Sequence, residues 1–176
     1  MTPASSDGRA PLLVTAELPG DILAWADALR REHYPPERNR LRAHVTLFHA
    51  LPPSSEREVR ALLAEFSRQA PPDAHVSGIM DLGRGTAIEL RSAALERIYA
   101  AMSERLHGLL IRHEARSLRP HITIQNKVTA QAARVLQGVL AGTLETRAFR
   151  LRGLGLYAWE EGLWRPIRTW PFRGVA

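Results

Sequence analysis

One short pattern, histidine–hydrophobic–threonine–hydrophobic, occurs twice in this chain, 77 residues apart. The copies are His44-Val45-Thr46-Leu47 and His121-Ile122-Thr123-Ile124. Both are rich in residues that favour strands, and alternate residues of a strand share a face, so each copy places an imidazole beside a hydroxyl. Histidine titrates nearest to neutral pH. Two imidazoles that flank one substrate could therefore act as a general acid and a general base.

The two motifs lie at equivalent points of a repeated order of predicted elements. Thr15-Ala16-Glu17-Leu18 precedes the first helix, and the similar Ala87-Ile88-Glu89-Leu90 precedes the third. The pattern predicts strands at 11–18, 44–51, 74–82, 85–91, 121–128, 145–158 and 163–170, and helices at 21–31, 55–69, 93–111 and 130–140. We expect an α+β fold made by duplication: two pseudo-twofold lobes, each an antiparallel sheet with outer helices, around a central cleft.

Length and composition limit the class of protein. With 176 residues, 45% of them hydrophobic, the chain can bury a core, and we expect one bilobal domain over 11–176 after a disordered leader at 1–10. No apolar run reaches the roughly 20 residues that a membrane-spanning helix needs, and no signal peptide is evident. The absence of cysteine excludes disulfides, thiolate zinc sites and cysteine nucleophiles. These features favour a cytoplasmic protein with no membrane partner.

The chain is basic, with a formal net charge of +6. A basic surface attracts nucleotides and RNA through their phosphates. However, all but one of the 24 basic residues are arginine, the exception being Lys127, and this bias is also typical of a genome with skewed composition. Charge alone leaves both explanations open.

The duplicated motif, together with the repeated element order, resembles the 2H phosphoesterase superfamily, which includes bacterial proteins called 2′-5′ RNA ligases and RNA 2′,3′-cyclic phosphodiesterases. The resemblance extends from about Pro11 to Phe172. It implies a bilobal enzyme that opens 2′,3′-cyclic phosphates of RNA ends or nucleotides to 2′-phosphates without metal or cofactor. Some members also join or cleave 2′-5′ linkages in RNA.

The resemblance also implies roles for the four motif residues. His44 would be the general acid and His121 the general base, although the pseudo-symmetry allows the reverse. Thr46 and Thr123 would donate hydrogen bonds to the non-bridging phosphate oxygens, where negative charge accumulates.

Strand alternation extends the candidate site beyond the motifs. Gln125 and Lys127 would share the face of His121, with Lys127 roughly 20 Å along a regular strand and thus near a neighbouring phosphate or in solvent. Phe48 would share the face of His44 and could stack on a base or close the cleft floor. His49 would face the other way, so that His44 and His49 diverge and form no metal site.

Three further residues are candidates from their place in the chain. Arg119, just before Pro120, could reach the cleft rim. Tyr157 and Trp159 in the final hairpin could line a nucleobase pocket or cover the core.

Three functions remain open from the sequence. The first is a cyclic phosphodiesterase acting on RNA ends or cyclic nucleotides as a monomer. The second is a non-catalytic module that binds such ends, and the third is a phosphodiesterase of small cyclic-nucleotide metabolites. ATP-dependent ligation is disfavoured because the chain has no GxxxxGK[ST] loop.

Overall fold

The strands of the protein form one antiparallel sheet. The computed structural model describes residues 11–110 and 117–175, so the expected leader at 1–10 lies outside the described residues. Within them the strands are β1 Leu12–Glu17, β2 Val45–Leu51, β3 Asp73–Asp81, β4 Thr86–Arg91, β5 His121–Gln125, β6 Ala148–Arg150, β7 Gly153–Glu160 and β8 Leu163–Pro171. The α-helices are α1 Gly20–His33, α2 Glu56–Phe66, α3 Ala93–Arg105 and α4 Ala130–Thr143.

The duplication is visible in the topology. The strand order is β6-β3-β4-β5-β2-β1-β7-β8, and β1-α1-β2-α2 is followed in the chain by β3 and then by the equivalent β4-α3-β5-α4. The two halves meet at the centre, where β2 and β5 are antiparallel and Val45 pairs with Ile122. The α+β class is confirmed.

The expectation of two separate sheets is not met, because the halves are hydrogen-bonded into one sheet of eight strands. The physical reason lies at the inner edges. Two separate sheets would leave the backbone N–H and C=O groups of β2 and β5 unpaired in the middle of the molecule, whereas pairing the two strands satisfies some of these groups.

The helices pack on the sheet face opposite the motif histidines and threonines. All four helices contribute buried apolar side chains to one core cluster, which also holds the fully buried Val45 and Ile122. The helix residues in this cluster include Ile22 and Ala26 from α1, Val59 and Leu63 from α2, Leu95 and Met102 from α3, and Leu136 and Leu140 from α4. The face that carries the motif hydroxyls and imidazoles is thereby left uncovered by this core. No helix in the described parts of the chain has the length and apolar character needed to cross a membrane.

Several element ends differ from the prediction. Strand β5 stops at Gln125, three residues early, because Lys127 adopts a left-handed conformation (φ 57°) and the Asn126 side chain accepts a hydrogen bond from the Lys127 backbone N–H. Helix α3 ends at Arg105 and is followed by a short 3₁₀ turn at His107–Leu109. The predicted strand 145–158 is divided into β6 and β7.

Candidate active site

The four motif side chains lie around the central strand pair. Since Val45 is opposite Ile122 and the strands are antiparallel, the same alignment sets His44 opposite Thr123 and Thr46 opposite His121. All four are partly exposed, whereas Val45 and Ile122 are fully buried on the other face. Each imidazole therefore faces the hydroxyl of the other motif.

Both imidazole rings are held in the same way. The Nδ1 atom of His44 lies 2.7 Å from the carbonyl oxygen of Arg42, and the Nδ1 atom of His121 lies 2.8 Å from that of Arg119. A carbonyl oxygen can only accept, so Nδ1 must carry the proton in each neutral ring. This leaves each Nε2 free to exchange a proton with a ligand.

The electrostatic surroundings of His44 favour its neutral form. The protein around this partly exposed ring removes part of its hydration, and this desolvation is the main cause that lowers the pKa of His44. The hydrogen bond to the Arg42 carbonyl acts in the opposite direction. The positive charge of Arg30 and the neighbouring His121 lower this pKa further, and Glu17 raises it. The pairing of Val45 with Ile122 also places the two imidazoles on neighbouring strands, on either side of that pair.

This lowered pKa predicts a pH dependence of stability. In the unfolded chain His44 returns to a pKa of about 6.5, so the folded protein binds fewer protons than the unfolded one. The contribution of His44 to the stability of the folded protein is then fully present above about pH 6.5, and it is lost as the pH falls through the folded-state pKa. We expect the free energy of unfolding in urea to fall between about pH 7.5 and about pH 5.5, and to fall further in the wild type than in His44→Gln. An equal loss in both proteins would contradict the lowered pKa.

A β-bulge follows the first motif and moves Phe48 out of the cleft. Thr46 pairs with Thr15, but the next pair is Phe48 with Val14, so Leu47 is an extra residue and the strand changes face. Phe48 is fully buried, and its ring stacks on Tyr99 at 4.8 Å between centroids. The prediction that Phe48 shares the face of His44 is therefore wrong.

The second motif has the equivalent bulge. Thr123 pairs with Ala87, and the next pair is Gln125 with Thr86, so Ile124 is the extra residue. Gln125 is only 7% exposed, and its Oε1 accepts a hydrogen bond of 3.2 Å from the Thr86 hydroxyl. The predicted row of Gln125 and Lys127 on the face of His121 is thus wrong, although Lys127 reaches the cleft by the turn after β5.

Two chambers on the motif face share Arg40, Leu41, His44 and Trp164, whereas His121 and Thr46 line neither of them. The carboxylate chamber, about 430 Å³, is lined by Glu17, Thr15 and Tyr157 together with Arg42, Arg152 and apolar side chains. The cationic chamber, about 340 Å³, is lined by Arg30, Arg38, Arg40 and Lys127, with Thr123, Trp159 and Glu37. His44 stands where the chambers meet.

Arg30 is a fixed cation of the cationic chamber that the sequence reading missed. It is 4% exposed; its Nη1 donates to the Thr123 carbonyl oxygen at 2.7 Å and its Nε to Asn39 Oδ1 at 3.1 Å. The guanidinium also lies over the Tyr34 ring, 4.3 Å from the centroid. A signal was present, because Arg30 continues the buried row of Ile22 and Ala26 on α1, where an apolar residue would be expected.

Glu17 is a second residue that the sequence reading missed. Its Oε1 accepts hydrogen bonds from the Thr15 hydroxyl (2.7 Å) and the Tyr157 hydroxyl (3.0 Å). Burial and then the neighbouring Glu17 carboxylate raise the pKa of Tyr157, which keeps this phenol protonated as a donor. The repeat offered the signal, since Glu17 occupies the position in β1 that Glu89 occupies in β4, where Glu89 pairs with His121 across the strands.

The remaining predicted residues are placed as follows. Tyr157 lines the carboxylate chamber and Trp159 the cationic chamber, where Trp159 meets Trp164 edge to face at 5.0 Å. Arg119 is exposed, pairs with Glu89 at 3.2 Å, and lies outside both chambers. Among the described residues no group of three or more histidine, aspartate or glutamate side chains could hold a metal ion.

Gly155 makes room for the Glu17 cluster. A Cβ at this position would overlap the Glu17 carboxylate and lie 2.7 Å from Thr15 Oγ1. We expect Gly155→Ala to destabilise the protein by about 1–3 kcal/mol, measured by urea unfolding, because the short Thr15 side chain cannot move away. The matched control is Gly138→Ala in α4, where the new methyl meets open space and should stabilise the protein by about 0.5–1 kcal/mol. A neutral Gly155→Ala would contradict the tight packing.

Comparisons with known proteins identify a matching family and several similar folds. A family model described as the 2′-5′ RNA ligase superfamily matches residues 18–163. The fold is similar to that of TT0787 of Thermus thermophilus (16% identity, 94% of this chain and 100% of that chain covered, TM-score 0.64). It is also similar to that of E. coli LigT complexed with 3′-AMP (19% identity, 93% and 98% covered, TM-score 0.58).

A crystal structure described as a phosphoesterase is similar as well, with 20% identity, 93% of this chain and 98% of that chain covered, and a TM-score of 0.59. No curated protein matched in sequence. The family match spans well over half of the chain and includes both motifs. The chain therefore belongs to the 2′-5′ RNA ligase superfamily of two-histidine (2H) phosphoesterases, the family that its duplicated motif resembles.

Proposed function

We propose that this protein is a metal-independent phosphodiesterase that opens the 2′,3′-cyclic phosphate of an RNA end or a nucleotide to a 2′-phosphate. The observation that carries the proposal is the pair of equivalent imidazoles, each anchored through Nδ1 and each facing a threonine hydroxyl of the other motif. Membership of a superfamily of phosphoesterases and RNA ligases supports a reaction at a phosphodiester. The 3′-AMP complex of E. coli LigT supports a nucleotide ligand.

The proposed reaction is an in-line displacement at phosphorus. His121 Nε2 takes a proton from water as the water oxygen bonds to phosphorus, and the bond from phosphorus to the 3′ oxygen breaks. His44 Nε2 gives its proton to that departing oxygen. The products are a 2′-phosphate and a free 3′ hydroxyl. A 5′ hydroxyl of a second strand in the place of water would give a 2′-5′ linkage by the same proton transfers.

The surroundings of the two motifs fit the charge that this reaction develops. The hydroxyls of Thr46 and Thr123 can donate to the non-bridging oxygens. Arg30 lies against the Thr123 carbonyl and adds a fixed positive charge beside that hydroxyl. Because the cation is already held by Asn39 and Tyr34, little ordering is needed when the phosphate binds.

The environment of His44 is compatible with the role of acid. A lowered pKa makes the imidazolium a stronger proton donor, but it also makes the protonated form scarce in the free protein. A bound phosphate brings a negative charge next to the ring and raises the pKa again. The bound substrate would thus promote protonation of His44, the residue that donates the proton to the departing oxygen.

The direct test is incubation of the protein with each of the four 2′,3′-cyclic nucleotides in excess chelator, with the products assigned by ³¹P NMR. We expect turnover to nucleoside 2′-phosphates. Loss of activity with chelator and its rescue by one divalent ion would contradict metal independence. Nucleotide binding without any turnover would instead support the non-catalytic binding module.

The cationic chamber favours RNA ends over small metabolites as substrates. Four basic side chains line it, against the single acidic side chain of Glu37 among its described lining residues. A chain of phosphates that extends from the scissile group into this chamber would be attracted, whereas a mononucleotide has no further phosphate to place there. The monomeric state and the cytoplasmic location stay predictions.

Lys127→Ala tests this distinction. We expect cleavage of an oligonucleotide that ends in a cyclic phosphate to weaken by about 2- to 5-fold at low salt, and the difference to fade as salt is added, because Lys127 is exposed. Cleavage of a cyclic mononucleotide should hardly change. The control Arg57→Ala makes the same change of charge on the exposed face of α2, outside both chambers. Equal losses on both substrates would place Lys127 at the scissile phosphate instead.

A further inference from the structure

The Glu17 carboxylate differs from its counterpart in the other half of the molecule. Glu89 is ion-paired with Arg119 at 3.2 Å. Glu17, in the equivalent position of β1, has no cation partner within 4.0 Å among the described residues and is held by the hydroxyls of Thr15 and Tyr157 instead. The duplication has therefore kept the acid in both halves but neutralised only one of them.

The two hydroxyls occupy only part of the accepting capacity of Glu17. Both donate to Oε1, and a carboxylate has about four acceptor positions, so Oε2 stays available to a ligand. Glu17 lines the carboxylate chamber, and Gly155 beneath it keeps the space open. Arg40, Arg42 and Arg152 also line this chamber, so its acidic character is confined to the place of Glu17. At that place the carboxylate would repel a phosphate and would attract a group that carries N–H donors.

The other lining residues suit a flat, partly apolar group. Leu13, Leu18 and Leu23 contribute aliphatic surface, and Tyr157 and Trp164 contribute aromatic rings. The volume of about 430 Å³ falls in the range of small-molecule pockets, about 300–1,000 Å³. A group with ring surface to pack and N–H donors to offer to a carboxylate fits both features, and nucleobases are such groups.

We propose that the carboxylate chamber is a nucleobase subsite in which Glu17 selects guanine, an inference that rests on the proposed function. Guanine presents two adjacent donors on its Watson–Crick edge, N1–H and the N2 amino group, and both can donate to Glu17 Oε2, which holds the acceptor positions that Thr15 and Tyr157 leave free. Adenine, cytosine and uracil all place an acceptor beside their donor on that edge, and the acceptor would face the Glu17 charge. Arg152 lines the same chamber and offers a donor for guanine O6.

This placement agrees with the role of His44. The two chambers meet at His44, so a base in the carboxylate chamber brings its own ribose to that imidazole. The departing 3′ oxygen belongs to the same ribose. The nucleoside therefore lies on the side of the acid, and any upstream phosphates extend toward the cationic chamber.

The test compares kcat/KM for the 2′,3′-cyclic phosphates of guanosine, inosine, adenosine and uridine. We expect guanosine to be preferred over uridine by about 10- to 100-fold, the usual discrimination of a two-point base contact. Inosine, which lacks only the N2 amino group, should fall between them. Glu17→Gln should abolish most of this preference, because its amide oxygen can still accept from Thr15 and Tyr157 while its amino group repels the guanine donors.

A binding measurement separates this inference from the proposed function. Calorimetric titration of the His121→Ala variant with 2′-GMP, 2′-AMP and 2′-UMP reports base preference without turnover. Tighter binding of 2′-GMP supports the subsite even if no cyclic nucleotide is hydrolysed. Equal kcat/KM values for all cyclic nucleotides, or equal Kd values for all 2′-nucleotides, would overturn the guanine subsite and leave the proposed hydrolase activity intact.

The matched control is Glu89→Gln, which makes the same change at the equivalent position of the other half and should leave the ratio between bases unchanged whatever it does to the rate. A loss of preference in Glu89→Gln equal to that in Glu17→Gln would overturn the assignment to Glu17. If Glu17→Gln does not fold, the wild-type ranking of guanosine, inosine and uridine still decides the proposal.

Discussion

Replacement of either motif histidine with alanine should lower kcat on a 2′,3′-cyclic nucleotide by about 10²–10⁴-fold, the usual contribution of general acid–base catalysis. In His44→Ala the departing 3′ oxygen loses its proton donor, and in His121→Ala the attacking water loses its base. Both side chains are partly exposed on the cleft face, and the buried partners Val45 and Ile122 are untouched. The fold should therefore survive, as measured by circular dichroism and thermal unfolding.

The control for this prediction is His75→Ala. His75 is exposed on β3 and lies outside both chambers, so this variant should keep wild-type activity. Near-normal turnover in a folded His44→Ala or His121→Ala protein would mean that the motif histidine in question does not carry a proton in the rate-limiting step.

The second large effect is expected from the motif threonines. Thr46→Val and Thr123→Val keep the shape of the side chain but remove the hydroxyl, and loss of one such donor to a developing oxyanion typically lowers kcat by about 10²–10³-fold. The loss should appear mainly in kcat, because charge on the non-bridging oxygens grows toward the transition state. Steady-state kinetics on a cyclic nucleotide gives both constants.

Thr143→Val serves as the control, since Thr143 is exposed at the end of α4 and its hydroxyl bonds only the backbone of its own helix. It should leave both constants unchanged. A rise in KM with no change in kcat in the motif variants would assign the threonine hydroxyls to ground-state binding and contradict their proposed role in the transition state.

The local pattern of apolar and polar residues predicted which face of each motif strand is buried and the order of strands and helices. The alternation of His44, Val45 and Thr46 correctly put the apolar residue on the buried face, and the same held for His121, Ile122 and Thr123. The repeated order of strands and helices also gave the α+β class. These features are local because strand faces are set by neighbours in the chain.

Alternation failed at the residue after each motif threonine. A bulge at Leu47 and an equivalent one at Ile124 turn Phe48 and Gln125 to the opposite face. A bulge depends on the register with the neighbouring strand, which the sequence of one strand does not contain. Both errors thus have one cause, and the duplication repeats it in each half.

Tertiary contacts placed the residues that sequence reasoning missed. Arg30 reaches Thr123 across 93 positions of the chain, and Tyr157 reaches Glu17 across 140. Such pairs arise because β1, β2, β5 and β7 are neighbours in the sheet and α1 packs beside them. The sequence did contain signals for both residues: Arg30 is a charge in the apolar row of α1, and Glu17 and Glu89 are acids at equivalent points of β1 and β4. Neither signal indicates which residue the side chain contacts.

A substrate with sulfur in place of the 3′ bridging oxygen tests most directly whether the two histidines divide the proton transfers at one phosphate. A thiolate departs without a proton, so this substrate needs the base but not the acid. We predict that the sulfur substrate restores most of the lost rate to His44→Ala and leaves His121→Ala impaired. Rescue of His121→Ala alone would exchange the two roles. An equal response of both variants would contradict the division between acid and base.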